Sequence, residues 1–322
     1  MDPVRRHGIT VPLPMVKLTD HRAAYEQLVG LGFTDVWSGE ANAQDGFTPL
    51  ALAAAWQPSL RVGVAIAPAF TRGPALLAQT AATMSDAAPG GFVLGLGASS
   101  PAIVQQWNGI PFEEPFRRTR DVLRFVRRAL TGEKVTERYD TFSIDGFRLL
   151  APPEVPPKLM VAALRPRMLE LAGTEGDGAI LNWLSAADVA KVAPLVGGKE
   201  IMARIFVAPS DDFDKVRAIG ARNLAAYLTV PAYRAFHEWL GRGTALQPMW
   251  DAWEAGDRAR ALEVIPDEVI DELYVWGDAA RIRAGIEAYC ANGVDTPAPA
   301  IMGAGEAMWD AIRAIAPGRP PD

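Results

Sequence analysis

A chain of 322 residues is long enough for two ordinary domains or for one α/β barrel with insertions, and too long for a small stapled scaffold. Apolar residues make up 49% and charged residues 22%, which supplies ample core and leaves no compositional case for disorder. With 32 basic against 38 acidic side chains the net charge is −6, the wrong sign for a surface that holds a nucleic-acid backbone.

From the N-terminus onward, Asp2 stands ahead of the first arginines and Pro12 and Pro14 interrupt any apolar stretch, so residues 1–17 do not read as a secretory signal. The longest apolar runs, 49–56 and 62–70, fall far short of the ~20 residues that span a bilayer. One cysteine, Cys290, and three histidines, His7, His21 and His237, provide neither an internal disulfide nor a metal-ligand spacing. These features predict a cytoplasmic protein without a membrane segment or a bound metal.

Short β-branched or apolar runs then alternate with stretches of helical period. Strands are predicted at 8–11, 34–38, 61–67, 91–96, 158–163, 178–181, 200–207 and 297–302. Helices are predicted at 20–31, 49–56, 73–87, 115–130, 166–174, 186–195, 211–228 and 278–292, with 306–315 closing the chain. Strands each followed by a helix, in a chain of this size, predict a single (β/α)8 TIM barrel across 1–322.

Two connections are too long for plain βα units and read as insertions after strands four and seven. Residues 132–157 carry Val135, Tyr139, Phe142 and Ile144 around Asp140, the pattern of a β-hairpin. Residues 231–274 place Tyr233, Phe236, Trp239, Trp250 and Trp253 on helical segments, either as packing or as a lid over a site. On the 115–130 helix, Arg117, Arg120, Arg124 and Arg127 form one stripe and Phe116, Thr119, Leu123, Val126 and Leu130 another, as an outer-ring helix with a solvated face requires.

Chemistry in such a barrel sits at the carboxyl ends of its strands. After strand two, Glu40 is either a titratable group at the mouth or a capping or surface glutamate. Strand three, with Ala65, Ile66 and Ala67, offers small residues that let a flat ligand approach the backbone, and a tightly packed layer would look similar. After strand four, Gly97, Ala98, Ser99 and Ser100 form a turn able to present N–H groups to a phosphate. It lacks the last glycine of G-x-G-x-x-G, which argues against a dinucleotide fold. After strand five, Ala163, Leu164, Arg165 and Arg167 surround a helix start with Pro166 in its first turn, an arrangement that is either an anion site or an exposed solvated turn.

An ordered set of motifs runs through the middle of the chain: Thr71-Arg72-Gly73-Pro74, Met84-Ser85-Asp86, Gly90-Gly91-Phe92-Val93-Leu94-Gly95-Leu96-Gly97, Trp107-Asn108-Gly109, Thr131-Gly132-Glu133-Lys134-Val135, Val161-Ala162-Ala163 and Gly176-Asp177-Gly178. The set resembles the luciferase-like flavin and deazaflavin oxidoreductases, and within them the coenzyme F420-dependent branch. That resemblance implies a deazaflavin lying over strand three, a non-prolyl cis peptide at Ala65–Ile66, and the cofactor's phosphate side near Gly97, Ala98 and Ser99 and near Leu164, Arg165 and Arg167. It implies hydride transfer between the deazaflavin C5 and a small organic substrate, and a homodimer. The alternatives are an FMN-dependent luciferase-like monooxygenase and a barrel that binds a (deaza)flavin without catalysis. The chain departs from the pattern in two places. Glu40 is followed by Ala41 where F420 relatives carry histidine, and Ser100 stands where a sugar-phosphate dehydrogenase of the family has glutamate. Glu40 is thus the remaining titratable candidate, expected as the catalytic residue that orients the ring or moves a proton.

Overall fold

The computed structural model describes residues 5–318, so the outermost residues of the 1–322 domain fall outside the described region. Its main sheet is parallel and follows the order β1 (Gly8–Thr10), β2 (Asp35–Ser38), β3 (Arg61–Pro68) and β4 (Phe92–Gly97), continuing after a hairpin of β5 (Val135–Arg138) and β6 (Ser143–Phe147). The later members are β7 (Lys158–Ala162), β8 (Gly178–Asn182), β9 (Glu200–Ala208), the two-residue β10 (Val275–Trp276) and β11 (Thr296–Ile301). Both β10 and β11 pair with β9, and β10 takes only its last residues, Val207 and Ala208. The remaining eight parallel strands form the TIM-barrel wall that the alternation predicted.

The wall has one unladdered seam, between β11 and β1, and the sequence explains it. Met302 N–H donates to Val207 O on β9, so by the two-residue period Ala298 and Ala300 also face β9 while Pro297 and Pro299 turn their nitrogens toward β1. A proline nitrogen donates nothing. The strands nevertheless lie against each other: Thr10 Oγ1 donates to Ala298 O at 3.2 Å, and a Cβ on Gly8 would meet Pro297 O at 3.0 Å.

Helices α1 (His21–Gly30), α2 (Thr48–Trp56), α3 (Pro74–Ala87), α4 (Pro115–Ala129), α5 (Pro166–Thr174) and α6 (Ala186–Val192) ring the barrel. Pro49, Pro74, Pro115 and Pro166 each occupy a first turn, where the missing N–H costs no helical bond. The arginine stripe of α4 is tied to other parts of the chain: Arg120 to Asp140, Arg124 to Glu175 and Arg127 to Asp177. After α7 (Phe213–Leu228), four helices follow in the aromatic stretch: α8 (Pro231–Leu240), α9 (Gly243–Glu254), α10 (Arg258–Glu263) and α11 (Asp267–Leu273). Then α12 (Ala279–Ala291) and α13 (Gly305–Ala314) complete the ring.

Three apolar clusters result. The largest fills the space between sheet and outer helices. A second gathers Trp183 and Phe206, beside the carboxyl ends of β8 and β9, with buried residues of α7, α9, α10 and α11. The third is the barrel interior, built from Trp37, Val93, Met160, Ile180, Met202 and Ala298, with Ala65 and Ile66 packed on it.

Candidate active site

The mouth of the barrel is organised around one irregularity in β3. The β3–β4 register shifts between Val64 and Ala67, and the Ala65–Ile66 peptide bond is cis, as the resemblance implied. Two consecutive residues therefore turn to the barrel interior, and Ala65 and Ile66 are partly exposed in an otherwise buried strand. Glycines make room for them. A Cβ on Gly39 would meet Ala65 O at 2.9 Å, and one on Gly97 would meet Ala162 Cβ at 2.9 Å and Ile66 Cδ1 at 3.1 Å. One on Gly95 would come within 2.2 Å of Val64 O. The glycine-rich β4 is thus a packing requirement of β3 as much as a phosphate turn.

Neighbouring strand ends continue the recess. Ala98, Ser99 and Ser100 after β4, Ala162 and Leu164 at β7, and Asn182 on β8 are all partly exposed. Ser99 has φ 66, a left-handed conformation that turns the chain sharply at the mouth. Ala65, Ile66, Gly97, Ala98, Ser99 and Leu164 therefore lie along the adjacent strands β3, β4 and β7. Ala67 and Ala163 do not share that face. Both are buried in the cluster between sheet and helices, so only their backbones are available to a ligand.

Glu40 is held firmly. Arg72 donates to its carboxylate through Nε at 3.0 Å, and Gly46 N–H adds a bond at 3.3 Å. Its own N–H donates to Ile66 O at 3.2 Å, and Arg72 lies over the Phe47 ring at 4.5 Å. A Cβ on Gly46 would come within 2.7 Å of Glu40 Cγ, so this loop closes on the glutamate. Arg72 belongs to a quoted motif, but its partner 32 residues earlier was not readable from spacing.

The predicted anion site at α5 is open. Arg165 precedes the helix in extended conformation, and its carbonyl accepts from Met168 and Leu169 N–H at 3.0 and 3.1 Å. Pro166 has no N–H, so Arg167 supplies the first-turn donor that these bonds leave unused. Both guanidinium groups are exposed, and that of Arg167 lies 4.2 Å from the Phe116 ring.

Sequence reasoning named Tyr233 within a possible lid but missed Asn182 and Arg204 on the far wall. Asn182 and Arg204 are register partners on β8 and β9. Asn182 Nδ2 donates to Tyr233 Oη at 2.9 Å, so the aromatic stretch touches the mouth directly. Trp183 stacks on Phe206 with ring centroids 3.7 Å apart, and Tyr227 closes on Trp183 at 5.1 Å. Burial, opposed by the Asn182 bond, raises the Tyr233 hydroxyl well above the ordinary phenol range. The only signal for Arg204 in the sequence was a cation inside an otherwise apolar strand.

The luciferase-like monooxygenase family model matches residues 6–296. The chain belongs to that family, and it is an enzyme. A 5,10-methylenetetrahydromethanopterin reductase of Methanolobus tindarius is 30% identical over 171 residues, 52% of this chain and 51% of that protein, so the match spans about half of that relative. The F420-dependent tetrahydromethanopterin reductase of Methanopyrus kandleri superposes with a TM-score of 0.79 at 21% identity, covering 97% of each chain. The FMN-bound oxygenating component of 3,6-diketocamphane monooxygenase from Pseudomonas putida gives 0.66 at 14% identity, covering 98% of this chain and 97% of that one. The cofactor class is a flavin or a deazaflavin. No helix among the described residues is long and apolar enough to cross a membrane, and no group of three or more His, Cys, Asp or Glu there is placed to hold a metal ion.

Proposed function

We propose that the protein is a coenzyme F420-dependent oxidoreductase that moves a hydride between the deazaflavin C5 and a small organic substrate in the barrel mouth. The observation that carries this reading is the interior-facing Ala65–Ile66 pair, set among partly exposed small residues of β3, β4 and β7. A flat ring system suits a floor of backbone and short side chains. The closer superposition on the F420-dependent reductase than on the FMN-bound monooxygenase supports the deazaflavin.

The chain's own residues would then act as follows. The β3 backbone at Ala65 and Ile66 supports one face of the ring. Gly97, Ala98 and Ser99 would receive the phosphate side, with Arg165, Arg167 and the α5 N-terminus adding charge and N–H groups. Leu164 lines the same side. Glu40, committed to Arg72 and to Gly46 N–H, is a positioning residue that fixes the loop beside the ring. When bound, the deazaflavin supplies the two-electron chemistry, and the protein supplies orientation and exclusion of water.

Fluorescence titration of the purified protein with F420, and separately with FMN, tests the reading. Micromolar or tighter F420 binding with FMN at least about tenfold weaker is expected, a gap of roughly 1.4 kcal/mol. Preference for FMN would move the assignment to an oxygen-using monooxygenase, and binding of neither would leave a barrel without a redox role. Glu40→Gln is expected to weaken F420 binding about tenfold through the released Arg72. Unchanged affinity and turnover would remove Glu40 from the site.

A further inference from the structure

The far wall of the mouth holds a cation, Arg204, that no described carboxylate pairs with. Along β9 the residues facing the barrel interior alternate, so Arg204 stands two positions beyond Met202, about 7 Å nearer the carboxyl ends. Asn182 stands beside it, two positions beyond Ile180. Met202 and Ile180 belong to the interior layer on which Ala65 and Ile66 pack. Arg204 and Asn182 therefore form the next layer outward, across the mouth from the expected ring position.

Arg204 Nε is buried without a hydrogen-bond partner, and so is Asn182 Oδ1. No described carboxylate pairs with Arg204. Its guanidinium carbon lies 4.8 Å from the centre of the Phe206 ring. A cation over an aromatic face recovers about 0.5–2 kcal/mol, well short of what a partly desolvated charge lacks. The side chain is only partly buried, so its remaining guanidinium nitrogens reach the recess. The Asn182 NH2 gives one hydrogen to Tyr233 and has a second with which to donate to a carboxylate. Tyr227 and Tyr233, both partly exposed, supply aromatic surface beside both, backed by the buried Trp183–Phe206 stack.

We propose that Arg204 and Asn182 form the anchoring subsite for a carboxylate on a small planar, unsaturated or aromatic substrate whose body lies against Tyr227 and Tyr233. The inference deepens the oxidoreductase reading and rests on it for the word substrate. A single guanidinium beside a neutral amide matches one negative charge. The predicted phosphate region, with its two arginines and a helix N-terminus, lies elsewhere, at β4 and α5. An anion held here would set its unsaturated body between Arg204 and Ala65–Ile66, where hydride transfer would occur.

The test uses the ligand-free full-length protein, with benzoate and its neutral isostere benzamide as probes in ligand-observed NMR titrations. Benzoate is expected to bind the wild type at least about tenfold tighter than benzamide, the size of one charge-assisted hydrogen bond. Arg204→Met should abolish that preference, Arg204→Lys should keep part of it, and Asn182→Ala should weaken benzoate a few-fold. F420 affinity measured in the same variants should stay unchanged. Equal binding of the two probes, no binding of either, or a preference surviving in Arg204→Met would overturn the subsite. So would a tenfold loss of F420 affinity in Arg204→Met, which would assign the guanidinium to the cofactor. Inorganic phosphate displacing benzoate at lower concentration than unlabelled benzoate itself would overturn the carboxylate class. A wild type that prefers benzoate but binds no F420 would uphold the subsite while removing the deazaflavin reading, so the two ideas fail separately.

Discussion

The two ends of the barrel use interior-facing arginines in opposite ways. At the amino-terminal end, Arg61 starts β3 and is almost completely buried, and every arm of its guanidinium is engaged. It bonds Asp35 at the start of β2 through Nε, Glu200 at the start of β9 at 2.7 and 3.1 Å, and Thr296 at the start of β11 at 3.1 Å. Lys158, which opens β7, adds a bond to Glu200 at 2.7 Å. Five strand starts are thereby tied into one network. At the carboxyl-terminal end, Arg204 sits on the same strand as Glu200, on the same face and four residues further along, with no such partners. A barrel closes its base for stability and leaves its mouth unfinished for a ligand.

The comparison predicts that the same substitution has opposite consequences at the two ends. Arg61→Met should destabilise the protein by about 3–5 kcal/mol, because the buried Asp35 would keep only the half-exposed Arg6 and the largely buried Glu200 only Lys158. Urea unfolding of the purified variant measures this. A loss below about 1 kcal/mol would mean that the base network is spread so widely that no member matters, and the contrast would have to be abandoned.

Acid should erode the two ends in separate pH windows. Burial alone would raise the Glu200 carboxyl, but Arg61 and Lys158 hold it down to about 2 from an ordinary 4.5. Its stabilisation is therefore complete above pH 4.5 and fades only as pH falls toward 2. His237 of α8 acts earlier. Burial and, less strongly, the neighbouring Arg242 push its imidazole down to about 4 from 6.5, while Asp188 opposes them. The unfolded chain thus takes up a proton that the folded chain refuses. Stability present above pH 6.5 is lost as pH falls from 6.5 to 4, by about 3 kcal/mol over the interval. His7 is lowered by burial as well, so the decisive measurement is the difference between wild type and His237→Gln. Denaturation midpoints from pH 7 to 4.5 should fall less steeply in the variant. Parallel slopes would show that His237 is not responsible.

How much of this was written in the sequence depended on whether the signal was local. The eight wall strands were legible because each is a short apolar run bounded by turn residues, and several helix starts because proline marks a first turn. Ala65–Ile66 was legible only through the resemblance, since nothing in Val-Gly-Val-Ala-Ile-Ala announces that two adjacent residues share a face. Glu40 was found by its place after a strand, but its commitment to Arg72 joins loops after different strands and has no spacing to read. Asp35, Arg61, Lys158 and Glu200 looked like ordinary charges at strand ends. Only closure of the barrel brings them together. Arg204 carried a signal that was passed over: in a strand buried on both faces, a charged residue on the parity of Met202 and Phe206 must point into the barrel.

The smallest predicted effect separates the two arginines most directly. Arg204→Met removes a partly desolvated charge that has no counter-ion among the described residues and replaces it with an apolar chain of similar reach. It forfeits the contact with Phe206, worth about 0.5–1 kcal/mol, and relieves a desolvation cost that exceeds it. The ligand-free protein should therefore gain about 1 kcal/mol, within the range typical of replacing a residue kept for function. Thermal unfolding should register this as a rise of roughly 2 °C in Tm, and Arg204→Lys, which keeps the charge, should show none. A loss of stability in Arg204→Met comparable to that in Arg61→Met would make Arg204 a structural cation, and the mouth would then be built on the same plan as the base.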